Sequence, residues 1–256
     1  MCLIALAYDP LASDQLIVTA NRDEFHARPT TGANFWTDQP SILAGRDLQG
    51  GGTWMGVDRS GRFAALTNYT EPTPDPLPQT TRGDLITQFL VGEQSARAYM
   101  TSLAHTAHDY RGFNLLLMDD EGLYYFNNRL KLHQRLEPGT YALSNRYLDC
   151  DWPKVKRTRE ALSQCVQSSA PLNLEALCDI MQAKGDGRPH SQPFITDDLY
   201  GTRATTAIII SADSNVHLLE KNYLESGKPG PINAYSFPVV AHQDREYENQ
   251  GPDRKS

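Results

Sequence analysis

Two short apolar runs near the N-terminus, residues 3–8 (Leu-Ile-Ala-Leu-Ala-Tyr) and 16–20 (Leu-Ile-Val-Thr-Ala), are separated by Asp9-Pro10 and Ser13-Asp14. Apolar runs joined by turn formers read as a β-hairpin. That hairpin carries residues 21–24 back beside residue 2, which is Cys2, directly behind Met1. Removal of Met1 is expected before so small a side chain, and it leaves a thiol and a free α-amine on one residue. The amine titrates at about 8 and the thiol at about 8.5, so the amine can take the thiol's proton and no separate histidine is needed. A small buried residue at the head of a strand is the competing reading of Cys2. Arg22 and Asp23 fall within reach of this pair, the arginine favouring thiolate and the aspartate fixing the ammonium. A surface ion pair in a loop is the other reading of those two residues.

The rest of the chain alternates hairpin and helix signals. Residues 25–52 are rich in Pro, Thr, Gly and Asp, lack clean periodicity and read as one long ordered loop, of a kind that tends to be functional. Phe25, His26 and Trp36 are candidates to line a pocket there, although a solvated loop histidine accounts for His26 equally well. Gly50-Gly51-Gly52 implies either a close backbone approach or a flexible turn. Residues 53–57 and 62–68 read as paired strands ending on Asn68, an asparagine that a turn would also explain. Leu85, Ile86, Phe89 and Leu90 carry helical spacing in a helix over 83–106, broken near Gly92. Residues 112–118 and 123–127 form an aromatic hairpin, and 130–136 and 139–144 two further strands ending on Ser144-Asn145. Helices follow at 152–167 and 173–183, then a polar loop to about residue 200. Residues 204–210 make a buried strand paired with 215–220. No linker divides the chain, so residues 1–240 read as one domain and residues 241–256 as a polar, disordered tail.

The chain has 256 residues and a formal charge of −7, enough length for a sizeable core. An acidic balance argues against nucleic acid or anionic membrane as a partner. No apolar stretch reaches the roughly 20 residues of a transmembrane helix, and there is no basic n-region of a signal peptide. Cys2, Cys150, Cys165 and Cys178 have no CxxC or metal-finger spacing, so no metal site is expected and the cytoplasm, with reduced thiols, is the expected compartment. The oligomeric state is open.

The run Asn21-Arg22-Asp23-Glu24-Phe25-His26-Ala27-Arg28-Pro29 behind a Met-Cys start resembles the signature of the NRDE family, which includes the eukaryotic transport and Golgi organisation protein 2 members. Gly51-Gly52-Thr53-Trp54-Met55-Gly56, Thr81-Arg82-Gly83-Asp84-Leu85, Gly112-Phe113-Asn114-Leu115-Leu116, Leu143-Ser144-Asn145 and Tyr200-Gly201-Thr202-Arg203 agree in order. The resemblance implies an α+β fold, a four-layer αββα sandwich of two antiparallel sheets, as in N-terminal-nucleophile (Ntn) hydrolases of the bile-salt hydrolase and penicillin V acylase type. It implies oxyanion donors at Asn68 and Asn145, of which Asn145 is the better candidate, and an arginine near the nucleophile at Arg203. The Asn-Arg-Asp-Glu order differs from the Arg-Asn-x-Asp order usual in those hydrolases, which leaves the placement of Arg22 and Asp23 open. Two functions follow. One is a carrier that holds haem noncovalently, through Cys2 or His26, or binds an acyl-CoA-like or lipid-like ligand, as implied by the family's association with haem trafficking. The other is a cysteine amidohydrolase cleaving a C–N amide bond with Cys2 as nucleophile.

Overall fold

The computed structural model describes residues 2–71 and 80–240. Leu3–Tyr8 forms β1 and Asp14–Phe25 forms β2, the expected hairpin, in register from Leu3 opposite Asn21 to Tyr8 opposite Leu16. Every residue of β1 is buried, which requires that both faces of its sheet be covered. The strands β3 (Thr30–Phe35), β4 (Ile42–Asp47), β5 (Met55–Asp58) and β6 (Phe63–Asn68) follow, then helices α1 (Gly83–Val91) and α2 (Ala96–Thr106). Next come β7 (Phe113–Asp119), β8 (Gly122–Asn127), β9 (Leu132–Arg135) and β10 (Gly139–Leu143). Helices α3 (Pro153–Gln167) and α4 (Leu174–Ile180) precede the closing strands β11 (Tyr200–Ser211), β12 (Asn215–Tyr223) and β13 (Pro229–Pro238).

All strand pairings are antiparallel. They make a six-stranded sheet of order β10-β1-β2-β11-β12-β13 and a seven-stranded sheet of order β3-β4-β5-β6-β7-β8-β9. Side-chain alternation sorts the apolar residues into three layers of core. Ile4, Leu6 and Tyr8 meet Phe63, Leu116 and Tyr125 between the sheets. Leu3, Ala5 and Ala7 point the other way, against Val155 and Leu162 of α3 and Leu177 of α4. On the far side, Leu115, Leu117, Tyr124 and Phe126 pack on Leu85 and Phe89 of α1 and Met100 of α2. The result is the αββα sandwich.

Two segments differ from the sequence reading. Residues 25–52 are not one loop; they hold β3 and β4, an edge hairpin of the seven-stranded sheet. Its periodicity is hidden because the register slips between Thr31 and Asn34, a bulge that breaks alternation. β13 also went unrecognised, because prolines and exposed polar residues dominate it, as an edge strand tolerates. The break at Gly92 is real: Gly92 is extended at the C-cap of α1, and Ser95 caps α2. The polar tail expected at 241–256 lies outside the described residues. No helix of the described residues is long and apolar enough to cross a membrane.

The bulge in β3 has a partner across the sandwich. It frees the Ala33 N–H from the ladder, and that group donates to Glu220 Oε1 of β12 at 2.6 Å. The other carboxyl oxygen accepts from the Thr206 hydroxyl at 3.2 Å. A Cβ on Gly32 would lie 2.4 Å from Asn233 Nδ2 and 3.1 Å from Glu220 Oε1, so a side chain there would push these polar ends out of place. Burial pushes the Glu220 carboxyl above its ordinary range. The folded chain therefore holds a proton that the unfolded chain has released, and stability falls as pH rises past the ordinary glutamate value. Glu220→Gln keeps an acceptor for Ala33 and removes the charge. In parallel urea titrations, the variant's unfolding free energy is expected to gain on the wild type from about pH 4 to about pH 7; a difference independent of pH would contradict a buried, titrating Glu220.

Candidate active site

Cys2 precedes β1, the strand held between β10 and β2. The ends of both neighbours therefore flank it. The Ser144 hydroxyl, just past β10, donates to the Cys2 carbonyl at 2.7 Å, which fixes the backbone of the residue. The half-buried Cys2 lines a cavity of about 460 Å³ whose wall also includes Arg22, Asp23, Asn68 and Asn145. Five of the expected site residues thus share one cavity.

The end of β2 supplies the charges. Asn21 turns toward the helix layer, where Nδ2 donates to the Met181 and Pro193 carbonyls at 3.0 Å and Oδ1 accepts from the Thr205 hydroxyl at 2.6 Å. Arg22, 5% exposed, lies over the Trp54 ring at 4.1 Å and donates to the Thr30 hydroxyl at 3.0 Å. Asp23 Oδ1 accepts from the Thr202 hydroxyl at 2.7 Å, and its own carbonyl accepts from the Tyr200 hydroxyl. Burial raises the Asp23 carboxyl above its ordinary value; the Thr202 hydroxyl and the charge of Lys154 pull the other way. Lys154, in the first turn of α3 and 1% exposed, is lowered by burial and supported by the charges of Asp23 and Cys2. Arg22, Arg82 and Lys154 each interact electrostatically with Cys2. Positive charge is therefore gathered around the Cys2 thiol.

Asn145 is held from the opposite sheet. Its Nδ2 donates to the Asn68 carbonyl of β6 at 2.9 Å, and its carbonyl accepts from the Thr70 N–H at 2.8 Å. The residues either side of it are pinned as well. The Thr67 hydroxyl donates to the Ser144 carbonyl at 2.7 Å. Asn114 Nδ2 donates to the Arg146 carbonyl at 2.7 Å and to the Thr67 hydroxyl at 3.0 Å. Asn114 Oδ1 in turn accepts from the Tyr125 hydroxyl at 2.7 Å and from Asn127 Nδ2 at 2.6 Å. Burial pushes the Tyr125 hydroxyl up to about 12, so it stays a donor. An Asn145 amide has two hydrogens; one is taken by Asn68, and the second is available to a ligand.

Three expected residues stand elsewhere. His26 is half-buried and its Nε2 faces the Asp197 carbonyl at 3.0 Å, off the cavity wall. Trp36 is buried in the helix-side core, donating to the Ala44 carbonyl. Arg203 sits at a bulge of β11, between Thr202 paired with Asp23 and Ala204 paired with Arg22. Its Nη1 donates to the carbonyls of Phe25, His26 and Arg28 at 3.1 to 3.3 Å, so it secures the turn after β2 and is not on the cavity wall. Both readings of the glycine run hold, at different residues. Gly51 turns with φ +81°, while a Cβ on Gly52 would lie 2.5 Å from the Gly83 backbone at the start of α1.

The sequence reading passed over Arg82 and Arg111, which also line the cavity. Each precedes a glycine in close contact: a Cβ on Gly83 would meet the Thr53 backbone at 3.0 Å, and one on Gly112 would meet Tyr69 at 3.1 Å. An arginine beside a glycine that lets backbones touch was the available signal. Asn114 was quoted only as part of a motif, yet its four hydrogen bonds carry the segment that presents Asn145. Asn114→Ala takes away the acceptor that the Tyr125 hydroxyl and Asn127 Nδ2 reach at 2.6 to 2.7 Å and the donor to the Arg146 carbonyl, and is expected to cost roughly 3 kcal/mol. Denaturant unfolding checks this; a loss within the ±0.5 kcal/mol typical of surface changes would contradict the role given to the network.

The model of the Transport and Golgi organisation 2 family matches residues 1–225. The Transport and Golgi organization protein 2 homolog of Bos taurus is 32% identical over 261 residues, covering 88% of this chain and 94% of the relative. The Mus musculus homolog is 31% identical over 273 residues, covering 93% and 99%. Among solved structures, a Caenorhabditis elegans N-acylethanolamine-hydrolyzing acid amidase ortholog matches with a TM-score of 0.53 at 8% identity, over 81% of this chain and 92% of that one. That likeness identifies the fold as the Ntn-hydrolase sandwich. The family match and the two homologs together establish that the chain belongs to the transport and Golgi organisation 2 family.

Proposed function

We propose that this chain is an N-terminal-nucleophile cysteine amidohydrolase, acting after Met1 is removed. The observation that carries the reading is the meeting of Cys2 and Asn145 on one cavity wall, Cys2 anchored by Ser144 and Asn145 anchored by Asn68. In the reaction, the Cys2 α-amine takes the thiol proton and Sγ attacks the amide carbonyl, forming a C–S bond. The carbonyl oxygen becomes an oxyanion and accepts from the free Asn145 Nδ2 hydrogen. Asp23 and Lys154 set the charge around the ammonium. Collapse of the intermediate breaks the C–N bond, and the leaving amine takes the proton from the ammonium. Water, deprotonated by the same α-amine, then attacks the thioester carbonyl; the acid departs and the thiol is restored.

A noncovalent haem carrier is the second reading. Four arginines on the cavity wall, Arg22, Arg28, Arg82 and Arg111, suit a ligand with two carboxylates, and the Cys2 thiolate would be the group to hold the iron. The donor set fits haem poorly beyond that, since among the described residues the cavity wall has no histidine and no methionine. The acyl-ligand carrier uses the same cavity without turnover.

Across a panel of acyl amides, Cys2→Ala should abolish hydrolysis, because it removes the nucleophile and keeps a small residue behind Met1. Asn145→Ala should lower kcat about 10²–10³-fold, as for loss of one oxyanion donor. Absence of turnover by the wild type across the panel, together with saturable ligand binding, would move the assignment to the carrier.

A further inference from the structure

Of the four arginines on the cavity wall, Arg28 is the one held by carboxylates, while Arg22 donates to the Thr30 hydroxyl and lies over Trp54. Asp47 pairs with Arg28 at 2.6 Å, and Glu24 approaches the same guanidinium at 3.9 Å. Asp23 is satisfied through Thr202. Arg82 and Arg111 have no carboxylate within ion-pair distance among the described residues. Arg82 Nη1 donates to the Gly112 carbonyl at 2.9 Å, a neutral acceptor. Glu71, the nearby acid that supports Arg82, forms its ion pair with Arg129. Arg111 Nε is buried with no hydrogen-bond partner, and so is the hydroxyl of Thr81, the neighbouring residue on the same wall. Burial and the charge of Arg111 both act against the charge on Arg82. A guanidinium stays charged regardless, so this part of the cavity wall presents two adjacent cations and two polar atoms with no hydrogen-bond partner.

Such an arrangement is costly unless something satisfies it. The same corner is also the start of α1, where Arg82 is the N-cap and no side chain caps the first turn. Free N–H groups at a helix start favour an anion there. We infer that Arg82 and Arg111, with the Thr81 hydroxyl and the first turn of α1, form an oxyanion-binding subsite that receives the carboxylate or phosphate of the ligand. The subsite rests on the reading of the Cys2 cavity as the ligand site, and it sets the substrate class: an acyl compound with an anionic group, rather than a neutral one. It holds whether that ligand is hydrolysed or only carried. Charge-assisted hydrogen bonds from guanidinium to oxyanion are the strong kind and are directional.

The test uses the full chain carrying Cys2→Ala, so that binding is read without turnover. Calorimetry would compare three probes of one chain length: N-dodecanoylglycine, dodecyl phosphate and N-dodecanoylethanolamine. The two anionic probes are expected to bind about ten- to a hundredfold more tightly than the neutral amide, the worth of a charged hydrogen bond. Arg82→Gln and Arg111→Gln should each reduce that ratio about tenfold, with folding checked by thermal melting; Arg111 Nε makes no bond whose loss would unfold the chain. Preference for the glycine conjugate assigns the subsite to carboxylates, and preference for the phosphate assigns it to phosphate monoesters. Competition by inorganic phosphate alone at equal affinity would assign it to the free anion. Equal binding of all three probes, no binding of any, or an unchanged ratio in both arginine variants would overturn the inference. Anionic preference with no hydrolysis by the wild type would retire the amidohydrolase and leave the subsite standing.

Discussion

The hydrogen bonds that cross between the sheets at residues 144–146 decide where the chemistry can occur. Cys2 belongs to one sheet, and Asn68 and Asn114 to the other. The segment after β10 is the bridge: Ser144 holds Cys2, Asn68 holds Asn145, and Asn114 holds Arg146. Apolar packing between sheets is non-directional and would allow one to slide over the other by a fraction of an ångström. Buried amide hydrogen bonds have narrow geometry, so they fix where Cys2 and Asn145 stand relative to each other across the packed sandwich. Glu220 and Ala33 do the same across another pair of strands, β12 and β3.

The parts of this fold that were legible in the sequence are those where burial on both faces writes long apolar runs. β1, β2, β7, β8 and β11 fall in that group, and so do α1 and α2 with their break at Gly92. What the sequence hid lies at the edges. In β3 a bulge cancels the period, and in β13 prolines and exposed residues replace it. Site residues divide along a similar line. Cys2, Arg22 and Asp23 could be placed together because a hairpin fixes its own return distance. Asn145 joined them only through resemblance. Arg82 and Arg111 come from the start of a helix and the turn before a strand, and no local pattern says that the two meet. Arg203 illustrates the converse: its place at the head of the apolar run 204–210 was readable, but the bulge that turns its guanidinium toward the carbonyls of residues 25–28 was not.

Charge on this protein is distributed against its average. The chain carries a net −7, yet the cavity wall holds Arg22, Arg28, Arg82 and Arg111. On that wall the four arginines stand beside three acids, Asp23, Glu24 and Asp47, so the wall is slightly basic in a chain that is acidic overall. Burial of Lys154 and Asp23 behind Cys2 adds fixed charges that water does not screen. These groups cost stability, because burying a charge is expensive unless it is paired.

The most direct measurement is a mass map of the N-terminal peptide after the native chain is exposed to an activated acyl compound. Loss of Met1 with a single acyl group on Cys2 is the expected result, with the half-buried Cys165 and the buried Cys150 and Cys178 unmodified. Retention of Met1, or acylation of Cys165 in preference to Cys2, would contradict a nucleophile built on the first residue of β1's leading edge.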